Sequence, residues 1–147
     1  MTSSTCTRHV ASAVVAAAVL AGCGQTPTTA QVTVGAATYR VEVAQSVEAQ
    51  RQGLAGRDEL PAGTGMLFEL DGHRQQVWGA GMYLPIDVVW IDDGQVIGVD
   101  QLDPCTAKDQ ATCQRIDSPG LVDAVLEVPS DSNIATGDRV TISPHMG

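Results

Sequence analysis

Beyond residue 30, apolar and polar side chains alternate in short runs. This is the two-residue period of a strand with one face toward a core. Residues 31–34 and 38–43 form two such runs, broken at Gly35-Ala36. In the second, Tyr39, Val41 and Val43 share one face, and Arg40 and Glu42 the other. The segment SVEAQRQG then reads as a short helix. Ser46 caps its start, Glu48 sits in the first turn, Arg51 comes late and Gly53 follows the end. Residues 54–65 read as loop, and 66–70 (MLFEL) as a strand bounded by Gly65 and Asp71-Gly72. Residues 84–102 contain a hairpin with Asp93-Gly94 as its two-residue turn. Residues 121–129 and 138–142 are further strands, joined by SDSNIATG as a turn or one helical turn. Many short strands, one helix and no repeated βα unit predict a mainly β fold. The expected architecture is a small antiparallel barrel or sandwich.

The hairpin makes a sharper statement. With Asp93-Gly94 at the turn, Trp90 faces Ile97, Val89 faces Gly98 and Asp87 faces Asp100. Two carboxylates directly opposite each other repel. Solvent, an arginine, a shared proton or a cation would relieve them, or a bulge would shift the register so that the pair never forms.

The beginning of the chain changes the picture from fold to address. Residues 1–9 are polar and carry one cation, Arg8, and residues 10–20 are Ala, Val, Leu and one Ser. That run is shorter than the ~20 apolar residues a spanning helix needs, and suits a secretory signal. The sequence LAGC follows, ending at Cys23, and resembles the bacterial lipobox. The expected organisation is a signal peptide over 1–22, a lipid-bearing Cys23 opening a polar tether over 23–30, one β domain over 31–143, and a tail over 144–147. The chain is thus expected to be exported and lipid-anchored, at the outer face of the cytoplasmic membrane or in the cell envelope. The formal charge is −9, from 17 acidic and 8 basic side chains. Losing residues 1–22 removes only Arg8 among these. Such an acidic domain gains nothing from anionic headgroups, so lipid has to supply the attachment. The same charge argues against nucleic acid as a partner.

Cysteine usage fits that address. Cys6 leaves with the signal and Cys23 takes the lipid, which leaves Cys105 and Cys113 to form a disulfide outside the cytoplasm. Their spacing, CTAKDQATC, is not the C-x-x-C of a zinc ribbon or redox pair.

Several motifs together resemble domain-of-unknown-function family 192. They are Gly53-Leu54-Ala55-Gly56-Arg57, Leu60-Pro61, Gly65-Met66-Leu67-Phe68, YLPIDVVWID, the Pro-Cys…Cys loop DPCTAKDQATC, VLEV and GDRV. The resemblance spans residues 32–142. It implies a compact, mostly β domain of a kind often exported, and no established activity. One departure stands out. Before YLPID the family usually has Phe-Trp-Met-Lys-Asn-Thr, and this chain has Val77-Trp78-Gly79-Ala80-Gly81-Met82. Any chemistry that needs the Lys as a base, Schiff-base amine or anion clamp is missing here.

Candidate chemistry is sparse. There is no G-x-S-x-G, H-E-x-x-H or P-loop, and past the signal only His73 and His145 remain. No metal site or cofactor is implied; Asp92-Asp93-Gly94 lacks the further oxygens of a calcium loop and reads as a turn. Trp90 belongs to a two-sided apolar strand and reads as core. Trp78 lies in a Gly-rich connection with Met82 and Tyr83, where it either packs inward or stacks on a ligand. Arg57 either pairs with a neighbouring acid or carbonyl, or clamps a ligand anion. Asp87 either caps loop backbone N–H groups or pairs with an arginine, or belongs to a site. The leading expectation is a non-catalytic module that binds a small ligand or an envelope protein through Arg57, Trp78, Met82, Tyr83 and Asp87. The alternatives are a small hydrolase using Asp87 with Asp100 or Asp103, and a structural envelope accessory.

Overall fold

The computed structural model describes residues 28–144. The expected signal peptide, the expected lipid site at Cys23 and the residues beyond Pro144 lie outside that range. The strands are β1 (Thr29–Val34), β2 (Ala37–Val43), β3 (Thr64–His73), β4 (Gln76–Trp78), β5 (Ile86–Asp92), β6 (Gln95–Leu102), β7 (Arg115–Asp117), β8 (Val122–Pro129) and β9 (Val140–Pro144). Among the described residues the one α-helix is α1 (Val47–Gln52). Seven strands form one sheet in the order β6-β5-β8-β3-β2-β1-β9, and β4 and β7 form a separate pair. The fold is mainly β, as the alternation predicts.

The sheet curls. Its first and last strands, β6 and β9, approach each other where Gln95 bridges Arg139. The Val96 N–H donates to the Asp138 carbonyl, and the Val140 N–H to that of Gly94. The concave side encloses one core: Val32, Tyr39, Val41, Leu67, Val89, Ile91, Val96, Leu126 and Val140. Contributions from both edges of the sheet show that this core lies inside the curl. A second core, with Leu54, Met66, Met82, Ile86, Val88, Trp90, Leu102 and Val125, covers the outer face. Alternation along β5 and β8 therefore feeds two apolar layers, which explains their nearly continuous apolar sequence.

The helix forms as its caps predict. Ser46 Oγ accepts from the Ala49 N–H at 3.1 Å, and Gly53 ends it at φ 53°. Its place in the topology was not legible in the alternation. It carries the crossover between β2 and β3, which pair in parallel, an exception to the otherwise antiparallel sheet. The domain also starts earlier than expected, since Thr29 and Ala30 belong to β1. Pro144 belongs to β9 and pairs with Ala30. β3 runs on through Asp71-Gly72 to His73 by an irregularity against β8. Asp131 and Asn133, both at positive φ, keep the segment before β9 irregular.

The hairpin corrects the expected register. Ile91 faces Val96 and Asp92 faces Gln95, as the turn dictates, but the register shifts between Trp90 and Ile91. Ile97 is the extra residue, so Trp90 faces Gly98, Val89 faces Val99 and Asp87 faces Gln101. Asp87 and Asp100 do not oppose each other. The bulge fits the indole. A Cβ on Gly98 would lie 3.3 Å from Trp90 Cδ1. The fully buried Trp90 donates its ring N–H to Asp100 Oδ2 at 2.7 Å. A buried indole N–H without an acceptor would cost about 1–3 kcal/mol, which this register avoids.

Candidate functional site

The last turn of α1 and the outer faces of β3 and β8 leave a gap that the sheet does not fill. β4, the segment 79–82 and Leu102 of β6 wall its other side. The result is a cleft of about 550 Å3. Its floor is apolar, formed by Leu54, Phe68, Leu70, Val77, Met82 and Val125. Glutamines 50, 52, 75, 76 and 110 surround it, with Arg51 and Trp78.

Local chemistry explains the walls. Gly53 turns the chain at positive φ, where an L side chain is strained, and lets Leu54 point inward. The Cys105–Cys113 disulfide, with Cα atoms 5.7 Å apart, closes the loop after β6. The backbone of Cys105 donates to the Met82 carbonyl and accepts from the Gly81 N–H, so this loop fixes the wall that carries Met82. Ala80, at the position where the family pattern has Lys, also lines the cleft.

One polar side chain sits in the apolar part. Glu127, on β8, is only 5% exposed. Its strand neighbours are Met66 on β3 and Val88 on β5, both apolar. No cation is paired with it among the described residues, where the one salt bridge is Arg57–Glu42. Burial pushes its carboxyl up to about 7. The sequence reading missed this residue. Its signal was the second acid of LVDAVLEVP, which, unlike the exposed Asp123, sits inside the apolar run AVLEV.

The expected site residues separate. Trp78 and Met82 both line the cleft. Trp78 is 41% exposed, with the Arg115 guanidinium 4.5 Å from its ring centroid. Met82 is buried. Tyr83 is half exposed but does not line the cleft. Arg57 is engaged elsewhere, in a two-pronged contact with Glu42 at 2.8 and 2.7 Å. The hydrogen bonds from Arg57 hold the Glu42 carboxyl below its usual range, against some desolvation. The guanidinium has a neighbour the sequence reading did not choose, because Glu42 is distant in sequence. Asp87 points to the concave side. Its Oδ2 accepts from the Ser132 N–H at 2.9 Å and hydroxyl at 2.7 Å. Burial, and then the nearby Asp87 charge, raise the Tyr39 phenol. Asp100 is held by Trp90, and neither Asp100 nor Asp103 lines the cleft. The acids of the hydrolase alternative are thus dispersed.

With this geometry in hand, likeness to other proteins can be placed. A family model described as "Uncharacterized ACR", domain of unknown function 192, matches residues 30–142. No curated protein matches the chain. A solved structure of a protein of unknown function from Novosphingobium aromaticivorans is similar over 76% of this chain and 83% of its own. Its TM-score is 0.66 and its identity 24%. A Sinorhizobium meliloti structure, provisionally described as a transcription regulator, is similar over 80% of this chain and 97% of its own. Its TM-score is 0.67 and its identity 25%.

Proposed function

Since the chain belongs to domain-of-unknown-function family 192, its function has to be read from its site, and we propose a lipid-anchored, extracytoplasmic module that binds a small ligand without catalysis. The observation that carries this reading is the cleft. Its volume, about 550 Å3, lies in the usual range of small-molecule sites. It combines an apolar floor, a ring of amides, an exposed indole and one buried carboxyl, the pattern of a few polar groups orienting an apolar ligand. Catalysis has weaker support, since among the described residues no second acid, histidine or nucleophile lines the cleft beside Glu127. The lipid anchor rests on the signal and LAGC. The regulator description of the Sinorhizobium structure finds no support in charge, since 17 acids against 8 cations repel nucleic acid.

The test is native mass spectrometry of the full chain, extracted in non-ionic detergent from cells that naturally make it. The expected result is a chain starting at Cys23 with a diacylglycerol mass and a non-covalent ligand, the ligand being lost in Trp78→Ala. A chain that keeps residues 1–22 overturns the anchor. No added mass, or one that Trp78→Ala retains, overturns the cleft as the ligand site.

A further inference from the structure

Glu127 is a poor choice for a wall that only has to be apolar. A Gln or Leu of similar size would fill the position without desolvating an ionisable group. A carboxyl this deeply buried, opening on a cleft and lacking a cation, is incomplete until something enters. Its surroundings decide what that is. A Cβ on Gly53 would lie 3.8 Å from Glu127 Oε2 and 3.6 Å from the Phe68 ring. The carboxyl, the ring and the end of α1 therefore meet at one point. Gly53 is the C-cap, so α1 turns its carbonyl end toward this point, and its own N–H is spent on the Ala49 carbonyl. A helix C-terminus favours positive charge. The carboxyl and the helix end both ask for a cationic donor, and the Phe68 ring beside them offers apolar contact.

We propose that the ligand of this cleft is a small organic ammonium ion on an apolar body, with its NH3+ paired to Glu127 and its body on Phe68, Leu70 and Met82. The proposal rests on the cleft being the binding site and names the class of ligand. Other charges do not forestall it. Arg51 is the one cation lining the cleft among the described residues, and it is exposed. Arg115 is stacked on Trp78, and the strands flanking Glu127 offer Met66 and Val88. The overall charge of −9 concentrates cations near the surface. Binding is coupled to a proton. Where Glu127 is protonated, the arriving ammonium ionises it, and the proton passes to solvent. With that carboxyl raised to about 7, one proton leaves per ligand on the acid side and none well above it.

The experiment is isothermal titration calorimetry on the full chain in non-ionic detergent. The probes are 2-phenylethylammonium, 2-phenylethanol and 3-phenylpropanoate. Titrations at about pH 6 and about pH 9, in buffers of differing ionisation heat, count the protons released. The expected order is ammonium first, alcohol weaker and carboxylate absent, with close to one proton released at the lower pH only. Glu127→Gln should weaken the ammonium by at least ~30-fold while sparing the alcohol. Trp78→Ala should weaken both. Proton counting needs no variant, so it decides even if Glu127→Gln folds poorly. An alcohol or carboxylate bound as tightly as the ammonium, or ammonium binding without proton release at the lower pH, overturns the ligand class. If the alcohol still depends on Trp78, that result leaves the cleft standing as a binding site. No binding of the ammonium at millimolar concentration overturns the proposal, while native mass spectrometry decides the cleft separately.

Discussion

Glu127 ties stability to pH in the direction opposite to a paired carboxylate. In the unfolded chain its carboxyl ionises near its ordinary value of 4.5, and in the fold near 7. The folded state therefore favours the protonated form. The advantage is complete below about 4.5, shrinks as pH rises, and is gone above about 7. Its span is on the order of 3 kcal/mol. Urea unfolding of the ligand-free chain should show stability falling between about pH 5 and pH 7.5, and Glu127→Gln should flatten that slope. An unchanged slope in the variant would assign it to other groups. Glu42 acts with the opposite sign and lower on the pH scale. The hydrogen bond from Arg57 holds it below 4.5, so its contribution appears above that value and is lost as pH falls further. At this scale the sequence was partly legible. Trp78 and Met82 announce themselves as an aromatic and a soft side chain among glycines. Arg57 and Asp87 do not reveal their partners, Glu42 and Ser132, because only the fold brings those residues near.

Pairs of elements are held by backbone approach as much as by side chains. Gly65 on β3 lies so close to β8 that a Cβ there would fall 2.2 Å from the Glu127 carbonyl oxygen. No real side chain tolerates that distance, so Gly65→Ala must push β3 from β8. The expected loss is about 2 kcal/mol or more, as in overpacked cores, read as a lower urea midpoint. Because the displaced backbone is that of Glu127, the cleft should change with it. The hairpin teaches the limit of local reading. Asp93-Gly94 fixes the turn and its first two pairs, and nothing in strand periodicity announces the bulge at Ile97. The bulge is a tertiary choice that places the Trp90 ring on Gly98 and its N–H on Asp100. Likewise α1 is readable from Ser46 and Gly53, whereas its crossover depends on β3 pairing in parallel beside β2.

For the whole molecule, charge and curvature set the behaviour. With 17 acids and 8 cations, the chain should not retain duplex DNA at physiological salt, which fluorescence anisotropy with a labelled duplex would measure. Binding whose logarithm falls steeply with that of salt would reverse the exclusion. Alternation read along the chain gives the mainly β class and both apolar layers of β5 and β8. The curl itself is not local, since it depends on the meeting of β6 and β9.

The pairing of β1 with β9 has a consequence for the time order of folding. Val32 faces Ile142, and Val34 faces Val140, so the first described strand is partnered by the last described one. Until Val140–Pro144 has left the ribosome, the outer edge of β1 has no neighbour and the curl cannot close. Contacts so distant along the chain place closure on the millisecond-to-second scale of nonlocal β folds. A sheet that closes only when β9 pairs with β1 remains open while the residues before Val140 are being made. Under the proposed export, that delay would suit passage through a membrane in extended form.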